Sequence, residues 1–550
     1  MSRLSRVLLS LGVVCCARAE VAVLTQHNDL ARTGANLNET VLNTSNVNPK
    51  QFGLVFTREV DDQIYAQPLV MTNVNLGAKG RHNLLIAATV NDSVYAFDAD
   101  DPSQAQAYWQ VNFLGPDIVA PRNDDMTGAC GGEYSDFSGK LGIVGTPVIA
   151  PGEGTLYLVA RTKEHGTNFV QRLHALDLRT GAERPNSPVV ITATYPGHGH
   201  GSIDGILKFD SQRQNPRSGL ALVNGVVYIA WASHCDWGPY HGWLIGYDGK
   251  TLRQEVVYNT TPDGGNGGIW MSGQGPAADS EGNLFVCTGN GTVGTHGDPA
   301  DPIDRGESFL KLTRHGASLQ LTSWFTPCNW QDLENTDNDF GNSGPVLIPG
   351  THLAFSGSKE GRVYLINRDS PGGLSRANTD TNIVQTFQVG PAGASAGLFG
   401  APVWWDGPEG SYAYLWCRQD FLRQYRFDPA KGIFILPEFA RGPVAQPAPM
   451  PGGILAISAN GRKAGTGILW ATQTSGCDGN HNVCPGILRA CDAQNVANEL
   501  WNSEQVKPRD AVGNLAKFVP PTVANGKVYL ATFSNRLNVY GLLPGQTKPN

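Results

Sequence analysis

A chain of 550 residues with 16% charged residues and a formal net charge of -7 shows no basic cluster, so nucleic acid is not an expected partner. Beyond its first residues nothing approaches the ~18 consecutive apolar residues of a transmembrane helix, so no membrane span is expected. With 66 Gly, 35 Pro, 12 Trp, 16 Tyr and 20 Phe, the composition suits short strands joined by turns and packed through aromatic faces.

The first nineteen residues read as a secretory signal. Arg3 and Arg6 form a basic start, Val7 to Cys15 is apolar, and Ala17-Arg18-Ala19 offers a cleavage site before Glu20. The expected mature chain is therefore residues 20–550, extracellular and built as one domain. N-x-S/T sequons stand at Asn38, Asn43, Asn91, Asn259 and Asn290, acceptors if the secretory pathway is eukaryotic. Of ten cysteines, Cys15 and Cys16 fall in the signal, and the rest can form disulfides in an oxidising compartment. Cys477 and Cys484 bracket the polar loop DGNHNV and form the best local pair. Cys287 and Cys417 sit inside apolar runs and read as buried thiols.

From residue 84 onward an eightfold repeat sets the fold. Each copy has an apolar run ending in small residues, a polar break, and an alternating run that closes on an acidic or glycine-rich turn. The copies are LLIAATVNDSVYAFDAD (84–100), TLYLVARTK…RLHALDLRTG (155–181), VVYIAWASH…GWLIGYDGKT (226–251) and NLFVCTGNG…SFLKLTRHG (283–316), then HLAFSGSKEGRVYLINRD (352–369), YAYLWCRQDFLRQYRFD (412–428), GILWATQTS…GILRACDAQ (467–494) and KVYLATFSNRLNVYGLL (527–543). Such a unit is one small sheet that cannot bury its own faces, so neighbouring copies must stack. Inner strands are expected at AQPLV (66–70), GTPVIA (145–150), SGLALV (218–223), GPAAD (275–279), SGPVLIP (343–349), GAPVWW (400–405), GGILAIS (452–458) and PPTVAN (520–525), where small residues and proline suit a crowded axis. Weaker outer strands are expected at AYWQVNF (107–113) and QEVVYNT (254–260).

The segment TQHNDLARTGANLNETVLNTSNVNPKQFGLVFTREV (25–60) resembles the opening segment of PQQ-repeat quinoprotein propellers, and the phrases TPV, GPAAD and PPTVANGKVYLAT are similar to that family's repeats. The resemblance implies an all-β, eight-bladed β-propeller whose N-terminal strand completes the last blade. It implies oxidoreductase chemistry as the reaction class. The family's alcohol dehydrogenases hold PQQ between a tryptophan and a disulfide of adjacent cysteines, beside calcium. Here the only adjacent cysteines, Cys15 and Cys16, lie in the signal, and no C-x-x-C-H haem sequence is present, so PQQ is not expected.

The chemistry-bearing residues lie in insertions. SHCDWGPYHGW (233–243) offers His234, Asp236 and His241 as a metal set or as acid, base and orienter. In PGHGHGSIDG (196–205), His198 and His200 share one face of an extended segment, as metal ligands do. Asp337 and Asp339 in NTDNDFGNSG (335–344) suit calcium at the channel mouth. Glu133 in ACGGEYSDFSGKLG (129–142) and Glu307 in DRGESFLKL (304–312) are candidate general bases. Walker and H-E-x-x-H motifs are absent, against a common nucleotide enzyme or zinc hydrolase. The expected protein is an extracellular oxidoreductase-type enzyme acting on a small oxygenated organic substrate, with calcium or a transition metal as the candidate cofactor. A non-catalytic module binding a glycan or protein through the same face, or a His/carboxylate lyase or isomerase, are the alternatives.

Overall fold

Eight antiparallel sheets follow one another along the chain in the computed structural model, which describes residues 20–137, 139–295, 297–375, 377–391, 397–446 and 450–545. The expected signal, 1–19, lies outside the described residues. The sheets are the blades of a β-propeller. Blade 1 runs from the inner strand Leu69–Asn75 through Arg81–Ala88 and Ser93–Asp98 to Trp109–Asn112. The later inner strands are Val148–Ala150, Ala221–Val223, Ala277–Ala278, Val346–Leu347, Val403–Gly407, Ile454–Ser458 and Thr522–Ala524. Each begins inside or at the edge of the segment expected from its small-residue or proline step.

The ring closes as the opening segment implied. Blade 8 contributes Thr522–Ala524, Lys527–Ala531 and Arg536–Leu542, and its outer strand is Phe52–Glu59. That strand pairs antiparallel with Arg536–Leu542, from Phe52 opposite Leu542 to Glu59 opposite Arg536. A sheet made from both chain ends leaves no gap through which the ring can spring open.

Packing lies between blades. Val148 and Leu173 of blade 2 meet Ile229, Trp231 and Trp243 of blade 3, and Trp470 and Trp501 of blade 7 meet Val523 and Tyr540 of blade 8. Trp231, Trp243, Trp405, Trp416, Trp470 and Trp501 are fully buried. Truncating one such side chain to alanine costs about 3–5 kcal/mol, so these indoles are a main source of cohesion.

Residues 21–36 do more than lead into the closing strand. They thread along the axis and are tied to every blade. Val23 exchanges main-chain hydrogen bonds with Val70, and the carbonyls of Leu24, Leu30, Ala31, Thr33 and Gly34 accept from Ile149, Ala278, Leu347, Trp404 and Ile457. Blade 8 is reached through Asn36 Nδ2 to the Val523 carbonyl (2.9 Å), and blade 3 through Thr25 Oγ1 to the carbonyl of Leu220, just before its inner strand (3.5 Å). At the centre, fully buried Arg32 donates to the carbonyls of Gln26 (2.6 Å) and Pro276 (2.9 Å) and to Thr25 Oγ1 (2.9 Å). This plug occupies the axis at the level of the inner strands.

Candidate active site

A cavity of about 510 Å³ lies on the axis at the end where inner strands begin and second strands finish. That volume suits a small organic molecule. One side is aromatic. Trp270 packs edge-on against Phe518 (centroids 5.2 Å) and Phe399 (6.2 Å), and all three rings line the cavity. Another side carries the disulfide Cys130–Cys235, which joins the loop before blade 2 to the turn after the second strand of blade 3. The rim includes Asp478, Asn480 and His481, from the loop closed by the second disulfide, Cys477–Cys484. That pairing agrees with the local bracket seen in sequence, and Cys287 and Cys417 are buried free thiols as expected.

Three acidic residues gather in the same cavity: Asp236, Asp337 and Asp339 all line it with Lys359. Asp339 is set by main chain. The Asn290 N–H donates to its Oδ1 (3.2 Å), and its own carbonyl accepts from the Lys359 N–H (2.9 Å). Lys359 Nζ lies 2.6 Å from Asp337 Oδ1 and 3.5 Å from Asp339 Oδ2. Behind them, fully buried Glu307 accepts the Phe340 N–H at Oε2 (2.6 Å), while its Oε1 has no partner. The Oδ1 atoms of Asn290 and Asn342 are likewise buried and unpartnered.

Electrostatics follow from this enclosure. Burial, reinforced by Asp339, raises the Asp236 carboxyl to about 6. Its surface is open, but to the cavity rather than to bulk water, which reconciles an exposed side chain with a desolvated one. Burial also raises Asp339; Lys359 opposes this and Asp337 adds to it. Glu307 is pushed well above the usual carboxyl range by burial and by Asp339. Burial works against the charge of Lys359, but Asp339 and Asp337 outweigh it and lift its pKa.

Backbone strain gathers at the same place. Cys130, Cys235, Asp236, Asp337 and Phe518 line the cavity with positive φ of 49°, 49°, 48°, 54° and 63°, and Glu307 stands at 44°. Left-handed conformations cost non-glycine residues of order 1–3 kcal/mol and persist where surrounding structure enforces them, commonly at functional sites.

The histidines lie elsewhere. His234 is fully buried beneath the disulfide, with Arg161 donating to its Nε2 (2.9 Å) and Tyr134 Oη at its Nδ1 (2.8 Å). An arginine only donates, so Nε2 is an acceptor and the ring is neutral. Burial, followed by Arg161, holds its pKa well below 6.5. The ring nitrogens of His241 face the carbonyls of Thr261 (2.9 Å) and His200 (2.9 Å). His198 and His200 are exposed near the small hairpin Thr194–Pro196 and Ile206–Lys208. None of the four lines the cavity, and Glu133 is exposed outside its lining. Among the described residues no group of three or more His, Cys, Asp or Glu is placed to hold a metal ion. The structure thus brings Asp236 together with Asp337 and Asp339 and leaves Glu133 and the histidines apart. It adds Lys359, Trp270 and the Cys130–Cys235 bridge, which sequence reading did not single out.

Three solved structures share this architecture. A quinohemoprotein alcohol dehydrogenase of Pseudomonas putida superposes with a TM-score of 0.56 at 15% identity, over 96% of this chain and 81% of its own. A europium-containing methanol dehydrogenase gives 0.59 at 12% identity over 95% and 98%. The quinohemoprotein alcohol dehydrogenase of Comamonas testosteroni gives 0.55 at 14% over 98% and 82%. The ring has the fold of quinoprotein dehydrogenases. No family model and no curated protein matches the sequence.

The cofactor that this fold implies can be tested against the cavity. A quinone of the PQQ type is flat and carries carboxylates. The lining presents the Trp270 ring and a disulfide, with Arg217 and Lys517 as cations. The bridge comes from cysteines 105 residues apart in sequence and so differs from a disulfide of adjacent cysteines. Oxygen donors for a hard cation are Asp236, Asp339 and the unpartnered Oδ1 of Asn290, a set that suits calcium rather than a transition metal. On these grounds the residues fit both groups.

Proposed function

We propose that the protein is a secreted quinoprotein-like oxidoreductase that oxidises a small oxygenated organic substrate in the axial cavity. The observation that carries this reading is the Lys359–Asp337–Asp339 cluster, with Asp236, in a cavity lined by Trp270 and the Cys130–Cys235 disulfide. Trp270 and the disulfide would hold a flat cofactor, with Asp236 and Asn290 as ligands for calcium. A bound quinone supplies a two-electron acceptor.

The chain's own residues supply the rest. Asp339 is the base, because a carboxyl pKa raised by burial strengthens a carboxylate as a proton acceptor for a substrate hydroxyl. Lys359 opposes the rise that burial imposes on Asp339 and presents a cation where negative charge develops on oxygen. Glu307 holds the Asp339–Phe340 peptide in place through the Phe340 N–H. His234 and His241 position walls, the first by tying the loop of Tyr134 to the turn that carries Cys235.

Protein isolated from the secreting cells and held with calcium, or refilled with quinone and calcium, is expected to show quinone absorption and stoichiometric metal. Failure to take up either would sink the oxidoreductase reading and leave a binding module, recognised by ligand-dependent stabilisation without turnover.

A further inference from the structure

Four cations line the cavity, and three are already engaged. Arg217 donates to the carbonyls of Tyr65 (3.3 Å), Val144 (3.0 Å) and Lys517 (3.2 Å). Lys517 donates to the carbonyls of Asp136 and Asn480. Lys359 is paired with Asp337 and Asp339. Arg418 differs: among the described residues its guanidinium makes no ion pair and no hydrogen bond, and its Nε is buried without a partner. Asp478 and Asp337 are the carboxylates whose charge it feels, and neither closes on it. The sequence stretches 392–396 and 447–449 contain no acidic residue.

Its placement has a direction. The guanidinium stands 5.0 Å from the centroid of Phe399, one of the three rings of the aromatic side. Its main-chain N–H is fixed to the Gly397 carbonyl (3.0 Å), immediately after the second strand of blade 6, Gly410–Leu415. A half-buried guanidinium stripped of partners loses hydration without compensation, and a carboxylate matches its fork geometry. We propose that Arg418 is a specificity-determining residue that binds the carboxylate of the substrate, whose apolar body lies against Phe399. The substrate class is then an apolar or aromatic acid that also bears the oxidisable hydroxyl. This rests on the oxidoreductase reading for the hydroxyl, but not for the carboxylate.

The test is equilibrium binding, without turnover. 4-Methylbenzoate and the neutral 4-methylbenzamide are titrated into the full-length protein by calorimetry, with the melting temperature as a second readout. Wild type is expected to bind the benzoate at least about tenfold more tightly, with the preference shrinking as salt rises. R418M should erase the preference, R418K should keep part of it, and both should leave benzamide affinity unchanged. Equal affinity for the two probes, no saturable benzoate binding at millimolar concentration, or an undiminished preference in a folded R418M would overturn the proposal. A parallel titration with PQQ separates the two sources of a carboxylate. Weakening confined to the quinone assigns Arg418 to the cofactor and removes it from substrate recognition. Carboxylate preference without dye reduction by any hydroxy acid would retire the oxidoreductase reading and leave the Arg418 site standing.

Discussion

Lys359 reaches Asp339 across the head of blade 5, with Nζ 3.5 Å from Oδ2, and the Lys359 N–H donates to the Asp339 carbonyl at 2.9 Å. Side chain and main chain therefore hold one pair twice. In K359M the main-chain bond remains while the cation is lost, so Asp339, already raised by burial, rises further. Turnover is expected to fall about a hundredfold or more, and the acid limb of the pH–rate profile to move to higher pH. K359R should preserve the limb. An unmoved limb in K359M would separate Lys359 from the base.

Asp236 couples activity to stability with opposite signs. Its carboxyl sits at about 6 in the fold against a reference of 3.8, so the folded state holds the proton more tightly than the unfolded chain. Ionising it in the fold is unfavourable, and that cost develops as pH rises from about 4 and is complete above about 6. D236N is therefore expected to melt higher than wild type at pH 8, with the difference fading below pH 4, while turnover is abolished. Parallel thermal melts across pH check both.

The axial plug should be required for the ring. R32M removes the donors that Pro276 and Gln26 accept, leaving buried carbonyls unsatisfied. An expected loss on the order of 3 kcal/mol follows, measurable by urea unfolding with unchanged m-value. Hydrogen exchange should rise first at Val23, Ala278 and Ile457, whose N–H groups bind along the plug.

The two disulfides differ in what they close. Cys130–Cys235 spans 105 residues and Cys477–Cys484 spans 7. By loop entropy they contribute about 4.7 and about 2.5 kcal/mol. C130S/C235S is therefore expected to lose about 2 kcal/mol more than C477S/C484S, and to lose quinone affinity as well. Equal losses would show that the long bridge adds nothing beyond its local geometry.

Glycosylation, if the chain is secreted by a eukaryotic cell, is expected at Asn38. Its side chain is exposed and makes no hydrogen bond among the described residues. Asn259 is buried, Asn290 sits at the cavity with its amide toward Asp337, and Asn43 and Asn91 have their amide nitrogens engaged by Val41 and Asp61. Peptide mapping after enzymatic deglycosylation reads the occupied sites. Occupancy at Asn259 in folded protein would contradict the packing between blades 3 and 4.

The ring was legible in the sequence because each blade repeats one local pattern, and the phrases TPV and PPTVAN mark inner strands wherever the axis crowds them. Closure by Phe52–Glu59 was legible through resemblance. The plug was not, because residues 21–36 have no period and gain their partners only when all eight blades are present. The site was half legible. Asp236, Asp337 and Asp339 could be found as acidic loops before inner strands or after second strands. His234 and His241 drew attention by composition, yet their rings are consumed by Arg161, Tyr134 and main-chain carbonyls. Lys359 stands in an ordinary-looking SGSKEGR turn, and nothing local marks it as the partner of a carboxylate twenty residues earlier. Cys130 and Cys235 meet only through the circular order of blades.

The most direct test of the axial cavity as a redox site is dye-linked oxidation by protein loaded with quinone and calcium. Primary alcohols and aromatic hydroxy acids are offered to wild type and D339A side by side. Wild type is expected to reduce the dye with saturable dependence on at least one of them, and D339A to bind the quinone but fall by about a hundredfold or more. Loaded wild type that reduces no dye, or D339A that turns over as fast as wild type, would contradict it.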